Sequence, residues 1–328
     1  MDKIRARIIG TGRGVPEKIL TNADLEKLVD TSDEWITTRT GIKERRIASE
    51  NEALSDFATI AAKNALEMAQ VKPEELDLII LGTVTMDQPI PASACFVQHN
   101  LGATNAAAFD FQAGCTGFIY GLSIADQYIR AGSAKKILLI GGEILTKVTD
   151  WQDRTTCVLF GDGCGAVVIY AEKGERGILS TSIHSDGSMA DFIAMTGGGS
   201  RIPTSHQTVD QRLHYIKMKG NETFKVAVRR IESACRESLE LAQIPAEGVR
   251  WFIPHQANTR IINAVAERLG WPEDRLYINI DRYGNTSAGS IPIGLDEVVR
   301  DGKVKADDIL LFSAFGAGLT WGSSVVRW

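Results

Sequence analysis

The chain repeats itself. Residues 66 to 81, LEMAQVKPEELDLIIL, lie without a gap over residues 239 to 254, LELAQIPAEGVRWFIP, an offset of 173 positions. Leu, Glu, Ala, Gln and a later Glu coincide, and Met/Leu, Val/Ile and Leu/Val are exchanged like for like. A duplication restricts the fold more than composition does, because each copy must be a unit that packs beside its own likeness. Each copy reads as a helix end, a Pro-containing turn and a buried strand. The preceding stretches, LSDFATIAAKNALEMAQ and FKVAVRRIESACRESLELAQ, carry apolar residues at the three-and-four spacing of an amphipathic helix.

A second pair follows downstream. RAGSAKKILLIGG (130 to 142) matches RDGKVKADDILLFSA (300 to 314) once two residues are allowed for, each a helix stop with Gly and then a short apolar strand. Short apolar strands between long helices indicate parallel sheets covered on both faces. The expected architecture is two similar α/β halves, residues 1–173 and 174–328, meeting near the charged AEKGERG (171 to 177). WGSSVVRW reads as a closing strand. The connection from 184 to 222 is long and turn-rich, a length often functional or partner-facing.

The 44% hydrophobic and 23% charged composition of the 328 residues suits a globular protein with a sizeable core. No apolar run approaches the roughly 18 residues of a membrane span, and MDKIRARIIG is unlike a secretory leader, so a cytoplasmic location is expected. The five cysteines have no CxxC or Cys/His ligand spacing, so neither a disulfide framework nor a metal site is indicated. A net charge of -5 gives no general attraction to nucleic acid.

Cys115 is where the repeat becomes informative. A lone cysteine is more often inert core than nucleophile. On the offset of 170 that superposes Arg130 on Arg300, however, GCTG (114 to 117) lies over GNTS (284 to 287), and Cys115 falls on Asn285. Each lies between an extended stretch, AAAFDFQA or RLYINID, and a following helix. At such a turn glycine allows tight geometry, and the helix N-terminus is expected to lower the pKa of a thiol and to offer free N–H groups to an oxyanion. The strand RWFIP runs into HQANTR, placing His255 at a strand end on the same sheet edge. A Cys, a His and an Asn converging there suggest a nucleophilic site.

Several ordered motifs carry a specific resemblance: TSDEWITTRTGIKERR (31 to 46), GCTGF (114 to 118), RTTCVLFGDGCGAVV (154 to 168), GNETFKVAV (220 to 228), PHQANTRII (254 to 262), RYGNTSAGSIP (282 to 292) and FGAGLTWG (315 to 322). Over essentially its whole length the chain resembles the β-ketoacyl-acyl carrier protein synthase III family of the thiolase-like superfamily. The resemblance implies a five-layered αβαβα thiolase-like fold and an initiating decarboxylative condensation. Acetyl-CoA or another short acyl-CoA would react with malonyl-acyl carrier protein, CoA being a substrate and no cofactor or metal being needed. It implies Cys115 as acyl acceptor, His255 and Asn285 as donors, and the N–H groups of Cys115 and Ala317 as an oxyanion hole. CoA would be held by Thr31, Trp35, Arg39 and Arg154, with Gly220 and Asn258 along the pantetheine channel. The acidic carrier protein would dock on Lys225, Arg229, Gln256, Ala257, Asn258, Thr259, Arg260 and Arg268. A homodimer is implied, with Ile90 reaching the partner's primer pocket.

The chemistry suits these residue types. Thioester exchange wants a soft nucleophile, and decarboxylating a malonyl thioester builds charge on a carbonyl oxygen that N–H donors of His255 and Asn285 meet. Thiolases use a second cysteine near the C-terminus, and none follows Cys235 here. Lys225, Arg229 and Arg230 form a basic face that could equally be an ordinary solvated one. Ile90, Glu267 and FQAG depart from the commoner pattern of relatives, which leaves the primer open. A synthase of secondary metabolism, a papain-like thiol hydrolase and a non-enzymatic carrier-protein scaffold are the alternatives. GTGRG near the N-terminus is a weak dinucleotide-loop mimic without the acidic residue that should follow.

Overall fold

The computed structural model describes residues 3–328. Two sheets repeat one topology. In the first, strands Ile4–Gly14, Asp162–Lys173, Lys136–Ile144, Leu78–Gly82 and Ala107–Phe111 lie side by side in that order. In the second the order is Gly177–Ser185, Thr320–Arg327, Ile309–Gly316 and Val249–Pro254. Both begin with two antiparallel pairings and continue in parallel, so the sheets are mixed and not purely parallel as their sequences suggest. The chain passes from one sheet to the other between Lys173 and Gly177.

A fifth strand in the second sheet, expected from RLYINID, is reduced to one parallel bridge between Phe252 and Leu276. The side chain of Gln256 takes over there: it donates to Tyr277 O and accepts from Asn279 N, the backbone groups that a neighbouring strand would have paired. A short helix, Ile280–Tyr283, follows instead.

Side chains that alternate along the strands separate the layers. Leu78, Ile80, Leu310 and Phe312 face inward, around the helices Gly117–Arg130 and Ser290–Arg300 that fill the space between the sheets. Ile79 and Leu81 face outward against helix Leu54–Ala69. Ile309 and Leu311 do so against helix Gly220–Ala242 on the opposite side. Helices Ser93–Leu101 and Thr259–Leu269 complete the outer layers. The result is the αβαβα stack. Both copies of the repeated helix end in a left-handed glutamine, Gln70 at φ 53° and Gln243 at φ 56°, so the duplication extends to backbone conformation.

The connection after residue 184 holds the helix His206–Asp210 and the paired short strands Ile193–Ala194 and Lys217–Met218. Its apolar residues are spent on the site described next.

Candidate active site

Cys115 lies in the tight turn Gly114–Thr116, between strand Ala107–Phe111 and the helix that starts at Gly117. Gly114 has φ 53° and its counterpart Gly284 φ 63°, left-handed conformations that a side chain disfavours. Gly316, at the end of a strand in the other sheet, presses against this turn: a Cβ there would stand 2.6 Å from Cys115 N. A Cβ on Gly114 would stand 3.0 Å from Ala317 N. The amides of Cys115 and Ala317 are thus brought to one place by two bare backbones.

Cys115 opens onto a cavity of about 400 Å³. Val84, Leu145, Phe160, Ile193, Met195 and Ile216 supply its apolar wall, and Gln112 lines it as well. Strand ends of both sheets and the long connection therefore enclose it together.

His255 and Asn285 are both buried, and neither is among the residues that line this cavity. His255 N donates to Ser313 O, three residues before Gly316, and its Nδ1 lies 2.7 Å from Ser290 Oγ. Asn285 is fixed through its backbone to Leu159 O and Gly161 N, and its Oδ1 accepts from Ser287 N at 2.8 Å. With Oδ1 engaged, the Nδ2 amide is the free end. Ser287 also lines the cavity beside Cys115.

The ionisation of the thiol differs from expectation. Burial pushes the Cys115 thiol up to about 11, with the neighbouring Ser287 only partly offsetting this. The helix N-terminus is present, but the apolar walls come from segments far away in sequence, and their desolvation dominates. Burial likewise holds His255 down at about 4, so the ring is neutral at physiological pH.

On the outer surface, Trp35 is part-exposed on helix Asp33–Thr40, and the Arg154 guanidinium stands 5.5 Å from its ring centroid. Arg154 is steadied by Asp30, through its backbone O at 2.8 Å and its carboxylate at 3.3 Å. Thr31 Oγ1 is buried without a hydrogen-bond partner. Arg39 is exposed, and its carbonyl accepts from Asn258 Nδ2 at 2.9 Å, while Thr259 Oγ1 donates to Thr40 O. These contacts join the helix bearing Trp35 to the segment after His255. Gly220 is exposed with open space around it.

Lys225, Arg229 and Arg268 rim a depression of about 270 Å³ floored by Phe224, Val228 and Ala264. Arg260 lies 5.4 Å over the Phe224 ring. Two expectations are corrected. Gln256 is buried in the strand-like role described above, so its side chain offers nothing to a docking protein. Arg230 leaves the basic face, lying 4.5 Å over the Trp321 ring and 3.8 Å from Asp186. Ala257 is half-buried, and Ile90 is 84% exposed.

Family models described as 3-oxoacyl-[acyl-carrier-protein] synthase III match residues 109–187 and, for its C-terminal part, residues 239–328. A β-ketoacyl-[acyl-carrier-protein] synthase III of Caldanaerobacter subterraneus subsp. tengcongensis is 57% identical over 327 residues, 100% of this chain and 99% of its own. The chain belongs to the β-ketoacyl-[acyl-carrier-protein] synthase III family. The crystal structure of the synthase III from Aquifex aeolicus superposes with a TM-score of 0.91 at 52% identity, covering 98% of this chain and 100% of its own. That of Thermus thermophilus gives 0.92 at 44% identity and 98% of each chain. The thiolase-like fold expected from the motifs is therefore the fold of the chain.

For a synthase III chain, three polar residues around the site escaped the sequence reading. Ser287 and Ser290 follow Asn285 inside an otherwise apolar helix start, and Glu143 ends the apolar run ILLIGG. A carboxylate closing a buried strand is the one signal that could have been weighed. Among the described residues no group of metal-ligating side chains is assembled.

Proposed function

We propose that the chain joins an acetyl or other short acyl group from CoA to malonyl-acyl carrier protein through an acyl-Cys115 intermediate, giving 3-oxoacyl-acyl carrier protein, CoA and CO2. The supporting observation is the cavity that opens at Cys115, in a chain alike over its full length to named synthases III. Cys115 Sγ attacks the acyl carbonyl and CoA leaves as its thiolate. The N–H groups of Cys115 and Ala317, drawn together by Gly114 and Gly316, receive the oxyanion. Malonyl thioester then loses CO2 while neutral His255 and the Asn285 amide stabilise the enolate oxygen. The carbanion attacks the acyl carbon and releases the thiolate of Cys115. A neutral histidine suits this role, since it donates without first being charged.

In this reading Thr31, Trp35, Arg39 and Arg154 hold the nucleotide end of CoA, and Gly220 and Asn258 border the pantetheine. Lys225, Arg229, Arg260 and Arg268 receive the acidic carrier protein. A second copy of the chain covers Ile90, which is too apolar and too exposed to be at ease in water. The two sheets correspond to halves 1–173 and 174–328. No helix among the described residues is long and apolar enough to cross a membrane.

The test is incubation with labelled acetyl-CoA followed by peptide mass spectrometry, then addition of malonyl-acyl carrier protein with CO2 release recorded. Label on the Cys115 peptide, lost in Cys115→Ala, is expected. Condensation retained by Cys115→Ala would overturn the reading.

A further inference from the structure

Two segments meet to wall the cavity at Cys115. Leu145 and Val148 come from the stretch after strand Lys136–Ile144, and Ile193, Met195 and Ile216 come from the long connection. Ile216 packs with Leu145 and Phe160 in a small apolar cluster separate from the large cores. Apolar contact is non-directional, and a wall that borders a cavity has packing partners on one face only. Such a cluster favours closeness without fixing how far the connection stands from Cys115.

Directional contacts fix that distance. Ile216 N donates to Val148 O at 3.0 Å. Beside this bond the buried carboxylate of Asp150 receives two cations from the connection. Arg212 approaches side-on, its Nε 3.1 Å from Oδ2 and its Nη2 bonded to Oδ1. Lys217 Nζ lies 2.9 Å from Asp150 Oδ2 and 3.2 Å from Asp153 Oδ2. The backbone of Lys217 pairs with Ala194, and that of Met218 with Ile193. The clasp therefore holds both short strands of the connection against the segment that bears Val148.

Arg212 sits where local preference would put another residue. It follows helix His206–Asp210 and its cap Gln211 at φ 57°, with Leu213 N bonded to Thr208 O. Glycine is the usual occupant of that left-handed position after a helix. Such strain is retained where something else requires the residue, and here the guanidinium serves Asp150. Its fork sets distance and angle together, which a lone ammonium cannot do. Arg212 in turn holds the Asp150 carboxyl well below the usual carboxylate range, so the pair stays charged at neutral pH.

We propose that Asp150, through Arg212 and Lys217, sets the length of acyl chain that Cys115 accepts, by fixing how closely Ile193 and Ile216 stand over the cavity. The proposal rests on the reading of Cys115 as acyl acceptor with the acyl group in this cavity. Asp150 does not line the cavity and is a positioning residue. With the clasp closed, the wall stops a long chain. With it opened, the Ile216–Val148 bond and the apolar cluster keep the connection attached, and the wall yields to a longer chain. Both cations are partly exposed, and ion pairs of that kind add little to overall stability. Their removal acts on the position of the wall more than on folding.

The experiment measures the second-order rate of acylation of the intact protein, by mass, with acetyl-, butanoyl-, hexanoyl- and octanoyl-CoA. Wild type, Asp150→Asn, Arg212→Gln and Lys217→Arg are compared. Asp150→Asn keeps the size of the side chain and the oxygen that accepts from Gln152 N, while both cations are free to turn to water. The octanoyl-to-acetyl ratio is expected to rise about tenfold or more in Asp150→Asn and Arg212→Gln, and to stay within about twofold of wild type in Lys217→Arg, which keeps its charge. A general loss of order would lower every rate by one factor and leave the ratio where it was. That outcome, a falling ratio, or a wild type that takes octanoyl groups as readily as acetyl groups overturns the proposal. A rise in Lys217→Arg as large as that in Arg212→Gln overturns it too, since the charge is then not what holds the wall. Arg212→Gln decides the matter if Asp150→Asn folds poorly. Absence of label on the Cys115 peptide of wild type with every acyl-CoA would instead overturn the assignment of Cys115.

Discussion

His255 Nδ1 and Ser290 Oγ stand 2.7 Å apart, and Ser290 Oγ also accepts from Gln256 N at 3.3 Å. Directed at Nδ1, the single hydroxyl hydrogen leaves the ring protonated on Nε2, the tautomer in which a neutral imidazole donates outward. Directed at Ser287 O, 2.9 Å away, it would leave Nε2 bare. Ser290→Ala removes this control. Decarboxylation of malonyl-acyl carrier protein is expected to fall about tenfold or more, with acetylation of Cys115 much less affected. Equal losses in both half-reactions, measured by CO2 release and by intact mass, would contradict a role through His255.

The neutral state of His255 has a consequence for stability. Its folded pKa of about 4 lies below the roughly 6.5 of an unfolded histidine, so between those values the unfolded chain binds more protons. Stability from this group therefore falls as pH drops through that window. Glu143 has the opposite sign: held at about 7 against a usual 4.5, it costs stability as pH rises from 4.5 to 7. His255→Asn is expected to recover up to about 3 kcal/mol at pH 4 relative to wild type. Urea titrations across that range measure it. An unchanged acid-side slope would show that His255 is not the group responsible.

Charge reversal tests the basic rim. Lys225→Glu with Arg229→Glu is expected to raise KM for malonyl-acyl carrier protein about tenfold or more at low salt, an effect that shrinks as salt screens it. Acylation of Cys115 by free acetyl-CoA is expected to stay within about twofold. A KM that ignores both the substitutions and the salt would place the carrier protein elsewhere.

Gly316→Ala introduces a methyl 2.6 Å from Cys115 N and 2.9 Å from Cys115 Cβ, both inside contact distance. The backbones must part, at a cost of about 1 to 3 kcal/mol. Thermal melting and the acylation rate read the two effects separately, and the rate is expected to fall by more than tenfold. Wild-type acylation in this variant would mean that the Cys115 and Ala317 amides need not be held together.

Much of this was legible in the sequence because a duplication exposes equivalences. The layers follow from helix and strand periods read twice, and Cys115 over Asn285 follows from one offset. The misreadings share a cause. Gln256 looked like a surface residue of a motif, yet a buried amide there does the work of a missing strand. Arg230 followed Arg229 on a basic helix, but Trp321 from the neighbouring sheet waited on its side. The thiol was expected to ionise easily from its place before a helix. Its desolvation depends on Ile193, Met195 and Ile216, between 78 and 101 residues away and invisible to local pattern.

The contact of Gly316 against the Cys115 turn brings one further consequence. The two amides belong to different sheets, and what keeps them in register is the fit of bare backbone together with one polar contact, the Thr116 and Thr320 hydroxyls 2.9 Å apart with Thr320 Oγ1 3.0 Å from Ala113 O. A slip of one sheet past the other by a fraction of an ångström would spoil the oxyanion pocket while leaving every helix and strand intact. Enzymatic rate should then act as a gauge of alignment between the sheets, dropping in mild denaturant ahead of circular dichroism.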